Sequence, residues 1–337
     1  MKQRLISGIK PTGDLTLGNY IGAIRNFIKL QDQYESYFFV ADLHALTTGT
    51  VNPKQLQKDR ENIVALYLAC GLDPNKSVIF YQSQVQEHGL MQWLCTSETT
   101  IGELQRMTQF KDKATKLKQG NGTTKVPTGL LMYPTLMAGD ILLYNADLVP
   151  IGEDQTQHLE LTRNIAERFN HKYKTRLKVP TGYIPEVGAR IKSLTDPTQK
   201  MSKSDKSDKS CIYLLEDPKQ AYNKIMKAIT DSENKVCISN DKPGVLNLLN
   251  IYAALENKTL KEAEAKFKDA NYKEFKEKVA TSVFNLLTNI QTKYKQSLTL
   301  VQQVTALGAT KASGIAKYTL NNLMLKMGLF GETNESK

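Results

Sequence analysis

No run of this sequence is long and apolar enough to span a bilayer, and the opening MKQRLISGIK lacks the apolar core of a signal peptide. The expectation is a cytoplasmic chain with no membrane partner. Cysteine is sparse: Cys70, Cys95, Cys211 and Cys237 lie far apart and match no metal-ligand spacing. No protein metal site is expected, and the thiols read as free in a reducing compartment. No Ser-His-Asp or Cys-His arrangement is evident, and no internal repeat. Acidic residues are outnumbered: 34 Asp and Glu against 45 Lys and Arg give a net charge of +11. That excess fits a polyanionic partner, of which nucleic acid is the commonest. A lysine-rich proteome gives the same balance, so charge alone leaves both readings open.

What is present is enough for a large core and two domains: 337 residues, 40% of them hydrophobic. Leu5 and Ile6 lead through Ser7-Gly8 into PTGDLTLGNYIGAI, Pro11 to Ile24. This reads as a strand, a glycine-bearing turn and a helix N-terminus. Such a turn offers backbone N–H groups and a positive dipole end to an anion. Many such turns bind nothing, so it does not decide by itself. YFFVA (37–41) and SVIFY (77–81) read as buried strands around an amphipathic helix over 54–70. The alternation predicts an α/β fold with a Rossmann-like parallel sheet. Ligands of such sheets lie beyond the carboxyl ends of the strands, where the opening turn and Asp42-Leu43-His44 should meet. Residues 86–109 read as helical. Residues 111–125, with five lysines and two glycines, read as a mobile basic loop or a plain solvated connector.

PTLMAGDILLY (134–144) reads as a buried helix with Asp140 inside it. A lone carboxylate there costs several kcal/mol unless paired. Tyr133, Met137 and Asp140 share one helical face and frame an apolar space with a hydroxyl, a thioether and a carboxylate. The plain alternative is a carboxylate satisfied by backbone or an arginine. DLVPI (147–151) reads as the next strand, and Gly152-Glu153-Asp154-Gln155 opens a helix. Its acidic residues suit the helix dipole. They would equally receive ribose hydroxyls. Residues 171–197 read as loop-rich, KMSKS occupies Lys200 to Ser204, and everything beyond Tyr213 reads as helical. The expected division is 1–190 for a nucleotide-binding domain, 191–210 for a mobile loop region and 211–330 for an all-helical domain. A return of the last helix to the first domain is left open, and 331–337 form a tail.

TLGN at Thr16 to Asn19 resembles the first signature of class I aminoacyl-tRNA synthetases, and KMSKS matches the second at every position. Within that class the chain is similar to the bacterial tryptophanyl-tRNA synthetases. SGIKPTGDLTLGNYIGA, IGELQRMTQFKDK, LMYPTLMAGDILLYNADLVPIGEDQTQHLELTR, GARIKSL, PTQKMSKSD and PGVLNLLNIY carry the likeness. Lys10 departs from it, standing where members usually have glutamine.

The resemblance implies an ATP-dependent tryptophan–tRNA ligase. It would take ATP with Mg2+ as substrate, L-tryptophan and tRNA(Trp), and act as a homodimer. Of the catalytic residues Lys200, Ser202, Lys203 and Ser204, the two lysines would stabilise the leaving pyrophosphate, with help from Lys111, and the two serines would orient the loop or donate hydrogen bonds. Lys10, Pro11, Thr12, Thr16, Gly18, Asn19, Gly152, Glu153, Asp154, Ile191 and Met201 would join the KMSKS residues in holding ATP. Asp140, Tyr133, Met137, Gln155 and His44 would hold tryptophan, with the Asp140 carboxylate accepting the indole N–H and His44 near the substrate carboxylate. The helical domain would read the anticodon. The nearest rival is tyrosyl-tRNA synthetase, which usually has glutamine where Met137 stands. A non-catalytic RNA-binding descendant and another adenylyltransferase are the rivals from other classes.

Overall fold

The computed structural model describes residues 2–48, 51–117, 126–184, 191–202 and 207–329. Among the described residues, five parallel strands form one sheet in the order β3-β2-β1-β4-β5. They are β1 (Arg4–Ile9), β2 (Glu35–Val40), β3 (Ser77–Tyr81), β4 (Leu148–Pro150) and β5 (Thr181–Tyr183). Period-two alternation assigns neighbouring side chains to opposite faces. Leu5, Phe38 and Ile79 enter one buried cluster, while Ile6, Phe39 and Phe80 enter the other. The chain leaves β1 toward β2 on one side and later returns to β4 on the other, so the order reverses between β1 and β4.

After β1, the helical run consists of α1 (Leu17–Asn19), a π turn (Tyr20–Ile24) and α2 (Arg25–Leu30). The helices α3 (Asp42–Ala45) and α4 (Pro53–Cys70) follow β2. Asn52 caps α4, Pro53 fits its first turn, and Gly71 ends it at φ 111°. Beyond β3 come α5 (Glu87–Ser97), α6 (Ile101–Arg106), α7 (Thr108–Leu117) and α8 (Thr128–Leu142), and α9 (Thr156–Tyr173) follows β4. The C-terminal part holds α10 (Pro218–Met226), α11 (Pro243–Leu255), α12 (Leu260–Lys266) and α13 (Tyr272–Lys326). The first half of α13 packs in the cluster with α10 and α11. Its later residues Ala312, Ala316, Leu320 and Leu323 belong to the cluster on the opposite face of the sheet.

Three local expectations change. Residues 111–117 are helical, because α7 runs through the first lysines of the expected loop. Residues 118–125 lie outside the described residues, as do Lys203, Ser204 and the 331–337 tail. The stretch 171–197 contains β5, a three-residue edge strand whose central glycine gives no β signal. Residues 227–242 are not helical. There Lys242 Nζ pairs with Glu233 at 2.6 Å, and Asp231 accepts the Tyr272 hydroxyl at 2.6 Å.

Candidate active site

A cleft of about 460 Å³ opens where the strand order reverses, beyond the carboxyl ends of β1 and β4. Ile6 to Lys10 line one wall, and Val149 to Gly152 line another. Gly8 has to be glycine: an added Cβ would lie 2.7 Å from the Phe39 ring.

The TLGN segment forms a reciprocal cap. Asn19 N donates to Thr16 Oγ1 at 3.2 Å, and Thr16 N donates to Asn19 Oδ1 at 3.0 Å. This orientation leaves Asn19 Nδ2 as a donor on a residue that lines the cleft. The π turn behind it brings Gly22 and Ala23 into the same wall. Ile191 and Met201 are bridged by the Met201 N–H to Ile191 O bond of 3.0 Å. Both lie under Gly18, where a Cβ would be 3.8 Å from each side chain's Cβ. The two signatures therefore touch.

Asp140 is 2% exposed at the cleft floor. Its Oδ1 accepts from Gln82 Nε2 at 2.7 Å and pairs with His88 Nδ1 at 2.6 Å. Its Oδ2 meets His44 Nε2 at 2.9 Å. A carboxylate only accepts, so both ring nitrogens carry hydrogens. Burial alone would raise the pKa of Asp140. The bonds from His44 and His88 outweigh burial and lower it to about 2. The partners are thus a glutamine and two histidines, not an arginine. His44 is engaged by Asp140.

A second network surrounds Tyr133. Its hydroxyl lies 2.8 Å from His158 Nε2 and 3.2 Å from Gln109 Oε1. Gln109 and Gln155 both donate to Asp154 Oδ2 at 2.9 Å, which fixes their amide orientations. Gln155 Oε1 therefore accepts from His158 Nδ1 at 2.9 Å, and Nε2 is left to accept from Tyr133. Burial lowers the His158 pKa to about 4, and the Lys113 charge adds to the shift. Lys10, Lys113 and Lys200 all line the cleft. Burial lowers the pKa of Lys10, and Lys113 lowers it further. Three cations converging on one cleft suit a polyphosphate.

Lys10, Asn19, Gly152, Lys200, His44, Tyr133, Met137, Asp140 and Gln155 line the cleft together. Pro11, Thr12, Thr16, Gly18, Asp154, Ile191, Met201 and Ser202 are not part of the lining. Thr16, Gly18, Ile191 and Met201 instead support it from behind. The side chain of Glu153 lies outside the described residues. Sequence reasoning missed Gln82, His88, Gln109, Lys113, Tyr144 and His158. His158 stands one helical turn after Gln155 and was legible by spacing. His88 reaches Asp140 only through the packing of two helices.

The family model for class I tRNA synthetases of the W and Y type matches residues 1–288. The chain belongs to that family. It is 60% identical to tryptophan–tRNA ligase of Mycoplasmopsis pulmonis over 97% of this chain and 98% of that one. A crystal structure of tryptophanyl-tRNA synthetase from Mycoplasma pneumoniae covers 100% of both chains, with a TM-score of 0.89 and 39% identity. The Campylobacter jejuni tryptophanyl-tRNA synthetase, solved with ADP and tryptophan, covers 97% of this chain and 100% of its own, with a TM-score of 0.78 and 29% identity.

Proposed function

We propose that this class I synthetase is a tryptophan–tRNA ligase whose two half-reactions run in the cleft between β1 and β4. The tryptophan carboxylate attacks the α-phosphorus of ATP. The α–β anhydride bond breaks, and pyrophosphate leaves with Mg2+ that entered on the nucleotide. The 3′-terminal ribose hydroxyl of tRNA(Trp) then attacks the acyl carbon and releases AMP. The protein's task is orientation and charge stabilisation rather than covalent catalysis.

The observation that carries this reading is Asp140. It is held ionised at the floor of an apolar cleft, with one acceptor position of Oδ2 unused. The indole N–H is a donor without an acceptor and complements that oxygen. Met137, one turn before Asp140, lines the same cleft and supplies a thioether against the ring. The Met137 thioether offers a phenol hydroxyl no strong hydrogen bond, which disfavours tyrosine. Tyr133 already donates to His158, so its oxygen is ready to accept from the substrate ammonium, and Gln155 stands beside it.

At the other end, Lys10, Asn19, Gly152, Lys113 and Lys200 take the ATP phosphates and ribose. Thr16, Gly18, Ile191 and Met201 hold the two signatures in register behind them. Pro11, Thr12, Glu153, Asp154 and the KMSKS residues Ser202, Lys203 and Ser204 complete the nucleotide site when substrate is bound. Residues 211–330 read the anticodon, and two copies form the working unit in the cytoplasm.

The test is radiolabelled pyrophosphate exchange into ATP. Exchange should require tryptophan. Exchange supported by tyrosine and not by tryptophan would reject the assignment.

A further inference from the structure

Asp140 and Tyr144 are four residues apart, so they face the same way from the end of α8. That face packs on α5, and the approach is close because Gly139 has no side chain. A Cβ there would lie 3.0 Å from Gln92 N and 3.3 Å from the Met91 carbonyl carbon. The contact inserts His88, fully buried, between Asp140 and Tyr144. Nδ1 is 2.6 Å from Asp140 Oδ1, and Nε2 is 2.9 Å from the Tyr144 hydroxyl.

The hydrogens along this chain can be assigned. Nδ1 carries one, because the carboxylate can only accept. The Tyr144 hydroxyl is fully buried and has His88 as its hydrogen-bond partner. If it accepted from Nε2–H, its own hydrogen would be stranded in the core without an acceptor. It therefore donates to Nε2. The acceptor at Nδ1 and the donor at Nε2 together fix the tautomer of His88, and Tyr144 holds the ring in place against Asp140. Gln82 works alongside: its Oε1 accepts from Leu43 N at 3.1 Å, so its Nε2 must point at Asp140. With Oδ1 saturated by two donors, the carboxylate cannot rotate without losing both. Oδ2 takes His44 Nε2–H at 2.9 Å and keeps its other acceptor position for the cleft.

We propose that His88, held in place by Tyr144, is a positioning residue for amino-acid selection, orienting Asp140 to take an N–H donor on the substrate ring. This rests on the reading of Asp140 as the acceptor of the indole N–H. Neither His88 nor Tyr144 lines the cleft. Removing the Tyr144 hydroxyl leaves the Nε2 lone pair without its donor in the core, so the ring turns from its place or gains a proton at Nε2, and its bond to Oδ1 no longer sets the carboxylate. The carboxylate then turns or takes up a proton, and only a substrate that donates to it suffers.

The experiment measures pyrophosphate exchange with tryptophan and with benzothienylalanine, in which sulfur replaces the indole N–H. Tyr144→Phe and His88→Leu should each lower kcat/KM for tryptophan roughly tenfold, mainly through KM, the size of one lost buried hydrogen bond. The analogue's kcat/KM should change less than twofold. His88→Asn, which can return a donor near the Nδ1 position, should retain most of the selectivity. A parallel fall for both substrates would show that His88 and Tyr144 only pack the core, and would overturn the proposal. So would a Tyr144→Phe enzyme with undiminished selectivity. The analogue's own turnover shows that each variant folds, and if His88→Leu does not, Tyr144→Phe decides. A wild-type enzyme that takes both substrates equally would instead overturn the reading of Asp140 beneath it.

Discussion

The Tyr133 hydroxyl lies 2.8 Å from His158 Nε2, and that contact decides which way Tyr133 can serve a substrate. Because His158 Nδ1 is committed to Gln155, Nε2 accepts and Tyr133 donates. The tyrosine oxygen keeps its lone pairs for an incoming ammonium. Protonating His158 would reverse the arrangement. The contact is therefore sensitive to acid.

The first prediction follows from the His158 pKa of about 4, lowered by burial and then by Lys113. An unfolded histidine binds its proton near pH 6.5. Between pH 4 and 6.5 the unfolded chain holds more protons at this position than the folded one. Stability therefore rises with pH across that window and is lost on acidification, by about 2–3 kcal/mol for a shift of this size. Urea unfolding at pH 4.5 and 6.5 should show a smaller difference for His158→Gln than for wild type. Equal differences would remove His158 from the account.

Lys113 should act on this histidine at a distance. Lys113→Met removes a positive charge that lowers both Lys10 and His158. The His158 pKa should rise toward its ordinary value, read by NMR titration of the ring. The same variant should slow pyrophosphate exchange roughly 10²-fold, the usual scale for losing one transition-state charge contact.

Asn19 does two things with one amide. Its Oδ1 belongs to the Thr16 cap, and its Nδ2 is a donor at the cleft. Asn19→Asp keeps the cap and places an anion where phosphate is expected. Thermal stability should change by less than about 1 kcal/mol, while the KM for ATP rises roughly tenfold or more. Asn19→Ala should lose stability as well, by about 1 kcal/mol. An unchanged ATP KM in Asn19→Asp would take Asn19 out of the nucleotide site.

Two glycines of α13 should respond oppositely to alanine. A Cβ on Gly308 would lie 1.9 Å from the Ile79 carbonyl oxygen in β3, backbone against backbone. Gly308→Ala should cost about 3 kcal/mol or more, because helix and sheet have to separate. A Cβ on Gly314 meets no atom of the described residues within 4 Å. Gly314→Ala should stabilise the protein by roughly 0.5–1 kcal/mol through helix propensity. Thermal denaturation of the pair measures both.

The sequence by itself determined the local elements and the two signatures. SVIFY is β3 residue for residue, and the alternation of strand and helix fixed a parallel sheet, because period-two and period-3.6 patterns are properties of neighbouring residues. Asp140 was legible too, since an isolated carboxylate on an apolar helix demands a partner wherever it occurs. The identity of that partner was not legible. His88 lies 52 residues away from Asp140, Gln82 58 and His44 96. No local periodicity links such separations. They meet because α5 and α8 pack closely at Gly139 and because β2 and β3 end beside each other. The same holds for the 111–117 segment, where the density of lysines suggested a loop. The helix is amphipathic, with Ala114 buried and the Lys111 and Lys113 side chains exposed, the latter at the cleft. A lysine's charge can stay in water while its helix packs, so charge density alone does not separate a loop from a solvated helix. Local pattern therefore identified the chemistry the chain carries. Packing between distant helices decided which groups are tied together, which hydrogen each one holds and which oxygen is left open to a ligand.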